Sequence, residues 1–256
     1  MRSRTIGTLA LGLSGVLFLT GCAGNGTGRT SAPAATSTGT ATPSPTGPSA
    51  KDDLVAALTR TGAAPYRYAA QSDLPESGSL SVTGAFDPVG KRFEATTTVT
   101  GGTLAGTHHR VVVGADSYLR EGDTKTWVHL DLSRVKKDNP LLRFDMTDPT
   151  GLAKFSSTLG NVDRTGPHAY SGSFDPLSSE PFLPIGAPSL VAFAGMAPFT
   201  ATTDDQNRVV SIHIELPRSD GPKLVMTTTL SDHGNPLPIQ APPKASVAEA
   251  DDFNYR

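Results

Sequence analysis

Along most of this chain, apolar side chains fall on every second position, and that period limits the fold more than any other feature of the sequence. Leu80, Val82 and Phe86 alternate with Ser79, Ser81, Thr83 and Ala85, and Phe93, Ala95 and Val99 alternate with Glu94, Thr96 and Thr98. Between them, Asp87-Pro88-Val89-Gly90-Lys91 is a turn by composition, with Pro fixing one φ and Gly freeing another. Further alternating runs span 108–113, 117–121 and 126–132, broken at Gly114-Ala115-Asp116 and Glu121-Gly122-Asp123. The pattern returns at 168–174, at 208–216 with Val210, Ile212, Ile214 and Leu216 expected inward, and at 223–231 with Leu224, Met226 and Leu230 inward. Short strands punctuated by turns about every 8 to 12 residues predict an antiparallel meander. One face should be apolar, and the other, rich in Thr, Ser and charge, should face water.

Helical spacing interrupts the alternation in three places. Asp52-Asp53-Leu54-Val55-Ala56-Ala57-Leu58 places acids in a first turn, where the helix dipole favours them. DPTGLAKFSSTLG aligns Leu152, Phe155 and Leu159 on one stripe ended by Gly160, and APSLVAFAGM aligns Leu190, Phe193, Ala194 and Ala197 behind Pro188. Short amphipathic helices of this kind are expected to lie on the apolar face of the sheet. The fold class is therefore α+β. TGAFDP at 83–88 and SGSFDP at 171–176 match, but nothing around them repeats, so they read as two similar exits from strand to turn.

The N-terminus addresses location. Arg2 and Arg4 precede the apolar run Ile6–Leu19. That run is shorter than the roughly 20 residues a membrane span needs, and it fits the h-region of a secretory signal. It ends in Leu19-Thr20-Gly21-Cys22, which resembles the bacterial lipobox and contains the only cysteine of the chain. A lone thiol has no disulfide partner. Cys22 is thus expected to be the lipid anchor, a diacylglyceryl cysteine with acyl chains such as palmitate, following a signal peptide at 1–21. Residues 23–50 are almost wholly Ala, Gly, Ser, Thr and Pro. Such a segment has nothing to bury and predicts a disordered linker, spanning about 30 Å as a coil and at most about 95 Å extended. The expected location is extracytoplasmic, anchored by lipid to the outer face of the cell membrane. Residues 51–256 are enough for one domain with its own core.

Few chemistries suit that domain. Without Arg2 and Arg4 the basic residues fall from 22 to 20 against 24 acids, a net charge near −4. No basic patch interleaved with aromatics suggests nucleic acid, and no polybasic stretch suggests anionic lipid headgroups. His108 and His109 are adjacent and, in a strand, point to opposite faces; with His129, His168, His213 and His233 they form no metal-binding spacing. Asp204-Asp205 with Asn207, and Asp251-Asp252, read as turn formers rather than calcium ligands. Neither a G-x-S-x-G elbow nor a phosphate-binding glycine loop is present. No metal, cofactor or catalytic residue is expected. Trp127, the sole tryptophan, shares a strand face with His129 and Asp131.

The lipobox and linker, the entry helix, the G-x-F-D-P exit, the paired segments DSYLR and WVHLD, and the mid-chain helix together resemble the actinobacterial LprG/LppX-type lipoproteins. That family is similar in fold to the LolA/LolB lipoprotein carriers. The resemblance covers residues 50–256 and implies a LolA-like lipid-binding domain: a strongly curved antiparallel half-barrel, closed by short helices on its concave face and holding a lipid or acylated glycolipid. On that expectation Phe155, Leu159, Leu190 and Phe193 form the lid side of a cavity, and Leu80, Val82, Phe86, Val210, Ile212 and Ile214 the sheet side. The protein would be a monomer and not an enzyme. The alternative is a cell-surface interaction or sensing module with a solid core, whose partner is another envelope protein. A cavity separates the two, because a carrier needs more apolar surface than its helices cover.

Overall fold

The computed structural model describes residues 47–74, 78–101, 105–136, 145–176, 195–217 and 221–255, all within the compact unit Thr46–Arg256. Cys22, the linker, and Leu190 and Phe193 of the expected second lid helix lie outside the described residues.

Helix α1, Ala50–Gly62, begins with a capping box: Ser49 Oγ accepts from the Asp52 amide at 3.1 Å, and the Asp52 carboxylate accepts from the Ser49 amide at 3.3 Å. Its buried residues, Leu54, Ala57, Leu58 and Thr61, follow the helical period and form one stripe. The strands follow in chain order: β1 Tyr66–Asp73, β2 Ser79–Asp87, β3 Arg92–Thr100, β4 Gly106–Val113, β5 Asp116–Glu121 and β6 Trp127–Asp131. After helix α2, Leu152–Thr158, come β7 Leu159–Gly166, β8 Ala169–Phe174, β9 Ala197–Thr203, β10 Val209–Leu216, β11 Leu224–Ser231 and β12 Val247–Glu249.

Among the described residues twelve strands join one open sheet, in the order β12-β6-β5-β4-β3-β2-β1-β11-β10-β9-β8-β7. Two meanders meet where β1 pairs with β11, and every pairing is antiparallel except that of β12 with β6. An open sheet of this width normally curls, so the topology is consistent with a strongly curved half-barrel. The turn at 87–91 forms around Asp87, whose Oδ1 accepts from the Val89 and Gly90 amides at 3.1 and 2.9 Å. The matching FDP segments both leave strands, with Phe86 and Phe174 buried at the ends of β2 and β8.

The core lies on one sheet face, beneath the helices. Phe155 of α2 sits edge-on to Phe174 and Phe199, with ring centres 5.2 and 5.1 Å away, and α1 packs on α2, β7 and β10. Gly84 leaves the space that the Tyr68 ring fills: a Cβ there would collide with that ring and with the Glu94 carbonyl. A smaller cluster forms on the opposite, outer face, where Leu237 and Ile239 of the C-terminal segment cover Ala85 and Val111.

Three sequence expectations need correction, and one strand goes beyond them. Strand β1, with Tyr66, Tyr68, Ala70 and Ser72 inward, precedes the alternation that begins at Leu80. The second helix ends at Thr158, so Leu159 and Gly160 belong to β7, an edge strand whose exposed face hides its period. Ala197 lies in β9 and not on a helix; Pro198 follows it and disfavours helical backbone at the preceding residue. In β10 it is Val209 that is fully buried, while Val210 is half-buried, because a bulge between Val209 and Ser211 shifts the register. The amide of Val209 donates instead to Thr61 Oγ1 of α1, at 2.8 Å, so the bulge helps dock the helix.

Candidate functional site

The core face changes character across the sheet. Over β8 to β11 it is deeply buried, with Phe174, Phe199, Ile212, Ile214 and Met226 each at most 3% exposed. Over β1 to β5 a cleft of about 420 Å³ opens beside Pro149. Register builds its floor. Gly84 of β2 separates Tyr68 from Ala95, and the row continues through Arg110 to Leu119. In the next row Val82 stands beside Thr97 and His108. Tyr68 and Phe93 stack with ring centres 6.1 Å apart, and Val82 is 5% exposed, so the deep end is apolar.

The rim is polar. Arg110 is half-buried, and removal from water pushes its guanidinium pKa down. His108 is exposed at the same edge. The Tyr68 hydroxyl donates to the Glu94 carbonyl at 3.3 Å, and burial drives its pKa well up, so it stays a neutral donor. An apolar floor with one cation at the rim can hold a chain-like apolar group and leave a polar or anionic end at the edge.

A second cleft, of about 290 Å³, lies between α1, α2 and the start of β1. Leu58, Tyr66, Phe86 and Leu152 line it beside Thr147 and Asp148. The Tyr66 and Thr150 hydroxyls are hydrogen-bonded to each other there, and desolvation raises the Tyr66 pKa. Asp148 accepts from the Lys154 amide at 2.9 Å and the Ala153 amide at 3.2 Å, satisfying two amides of the first turn of α2, whose N-cap is Gly151.

The residues expected to line a cavity are thus dispersed. Val82 lines the larger cleft and Phe86 the smaller. Leu80 lines a third hollow, at the strand ends beside Gln71 and Asp73. Phe155, Leu159, Ile212 and Ile214 belong to the packed core, and Val210 stands on the bulge. Sequence reasoning missed Tyr68 and Arg110. Tyr68 lies in the overlooked first strand, and a charge within HHRVVV gives no sign of facing inward until its neighbours in the sheet are known. Phe93 and Leu119 were within the alternation but not singled out.

Among the described residues no group of three or more His, Cys, Asp or Glu is placed to hold a metal, and no helix is long and apolar enough to cross a membrane. His108 and His109 do lie on opposite faces, His109 bonding to Thr96 Oγ1 through Nδ1 at 3.0 Å on the outer side.

Among solved structures, an uncharacterized conserved protein from Thermus thermophilus is similar at 10% identity and a TM-score of 0.43, over 79% of this chain and 100% of that one. A LolA superfamily protein from Nitrosomonas europaea is similar at 10% identity and a TM-score of 0.27, over 81% of this chain and 100% of that one. The chain matches no family model and no curated protein. Both structural likenesses are loose, and the functional reading rests on this chain's own residues.

Proposed function

We propose that the protein is an extracytoplasmic lipoprotein, held on the outer face of the cell membrane by diacylglyceryl Cys22, whose domain carries a lipid or acylated glycolipid. The observation behind this reading is the core-face cleft of about 420 Å³, floored by Tyr68, Val82, Phe93 and Leu119 and edged by Arg110 and His108. Its volume falls in the range of small-molecule sites, about 300 to 1,000 Å³. Each methylene it takes from water is worth about 0.8 kcal/mol, so a short length of acyl chain gives measurable affinity. Helices α1 and α2 close the concave face, and Arg110 meets the polar end of the ligand. The protein binds its ligand without altering it, needs no cofactor, and acts as a monomer.

Lipid extraction of the purified protein and titration with a fluorescent fatty acid test this. Co-purified lipid and saturable uptake are expected. Val82→Phe should fill the cleft and lower uptake several-fold while the circular dichroism spectrum is kept; in a solid core the same change would cost about 1 to 3 kcal/mol of stability. Absence of both lipid and uptake would leave the second reading, an interaction module. The solid packing around Phe155, Phe174 and Phe199 favours that alternative.

A further inference from the structure

The other face of the sheet has its own groove. Ala69, Thr83, Thr96 and His109 are successive register partners across β1 to β4, Arg120 pairs with His109, and Trp127 follows on β6. Together they line a groove of about 550 Å³, larger than either core-face cleft described above. Ala69, Thr83 and Thr96 are small side chains, and Arg67, Glu94, Thr229 and Ser231 line the groove beside them.

The two arginines differ. Arg67 is committed, with Nε 3.3 Å from Asp232 Oδ2 and Nη1 3.8 Å from Glu94 Oε1. Arg120 has no carboxylate partner among the described residues. Its guanidinium carbon lies 4.7 Å from the centre of the Trp127 ring, and its Nε is buried without a hydrogen-bond acceptor. A guanidinium fixed on an aromatic face, with its fork free, is arranged for a carboxylate or phosphate bound through two parallel hydrogen bonds. Beside it stand the hydroxyls of Thr83 and Thr96 and the imidazole of His109, spaced by the roughly 4.8 Å between strands. Burial and the charge of Arg120 lower the His109 pKa, and with Nδ1 bonded to Thr96 Oγ1 the ring leaves Nε2 for a ligand hydroxyl.

We propose that this groove binds an acidic saccharide, a polyhydroxylated ring carrying a carboxylate or phosphate, with Arg120 gripping the anion and the Thr83–Thr96–His109 row meeting the ring hydroxyls. An extended acidic peptide fits less well, because it would look for unpaired backbone, and β2 to β5 are paired on both sides. This site lies on the opposite face from the core-face cleft and does not depend on lipid binding.

Trp127 is the only tryptophan, so its emission and its indole N–H resonance report on this groove alone. The full chain is titrated with D-glucuronate, D-glucose 6-phosphate, D-glucose, acetate and triglutamate. Saturable changes with the two anionic sugars are expected, with glucose, acetate and triglutamate about tenfold weaker or more, the scale of one charge-assisted hydrogen bond. Arg120→Met should weaken both anionic sugars at least about tenfold. Thr96→Val, which leaves the guanidinium in place, should weaken the sugars several-fold without changing acetate, and it serves as the test if Arg120→Met does not fold. The proposal is overturned if none of the probes saturates, if glucose, acetate or triglutamate equals glucuronate, or if the folded variants bind as the parent does.

Discussion

His129 is held on both ring nitrogens, Nε2 2.9 Å from Asp116 Oδ1 and Nδ1 2.8 Å from Glu249 Oε2. Tyr118 packs on its ring, and Tyr255, over whose ring Arg134 lies, donates its hydroxyl to Glu249 Oε1 at 2.8 Å. Burial opposes the imidazolium, but the hydrogen bonds and charges of Glu249 and Asp116 outweigh it, and the pKa is raised. A raised folded pKa stabilises fully below the unfolded value, about 6.5, and the gain is lost as pH rises through the folded value. Hydrogen bonds from His129 and Tyr255 lower the Glu249 pKa, so its share is lost only as pH falls through that depressed value. His129→Gln should therefore lower the urea midpoint clearly at pH 5.5 and much less at pH 9; an equal loss at both would show that the charge is immaterial. Phe155 argues from packing instead. It is fully buried against two other rings, and Phe155→Ala should cost about 3 to 5 kcal/mol by urea denaturation.

Among the elements, the C-terminal segment departs most from a simple meander. It leaves β11, covers Ala85 and Val111 on the outer face with Leu237 and Ile239, and runs on through β12 beside β6 to Tyr255. The Arg92 guanidinium donates to the Ile239 carbonyl at 3.1 Å. Ile239 is fully buried, so Ile239→Ala should cost about 2 to 5 kcal/mol, and fatty-acid uptake by the folded variant should stay unchanged because the residue lies on the other face. Uptake lost together with stability would mean that the two faces are coupled. Strands β7 and β9 carry a second lesson. Leu159 reads as the next helical position after Phe155, and Ala197 as a helix former, until β8 and β9 are seen to need partners. Local propensity is a weak prior, and the ladder overrides it.

At the scale of the whole molecule, one sheet separates two chemistries: an apolar face with helices and a cleft, and a hydroxyl-rich face with a groove. Attachment through Cys22 would place both outside the membrane. Cys22→Ala should release the protein to the medium or leave it as unprocessed precursor, as fractionation and mass spectrometry would read. A variant found in the membrane after loss of the signal segment would refute the anchor.

The sequence alone determined the strand-rich meander, most of its turns and which face of each regular strand is apolar, because a period of two is a local property of the chain. It also singled out Cys22, through flanking residues that need no fold. It could not determine β1, the register shift that exchanges Val209 for Val210, or the reassignment of Leu159 to a strand. Those depend on partners far away in the chain, such as Thr61 for Val209 and Phe174 for Leu159. Only the tertiary structure decided where the apolar face is solid and where it is hollow. A void belongs to no residue: it is what remains when Val82, Arg110 and Pro149, distant in sequence, are brought around one space and do not fill it.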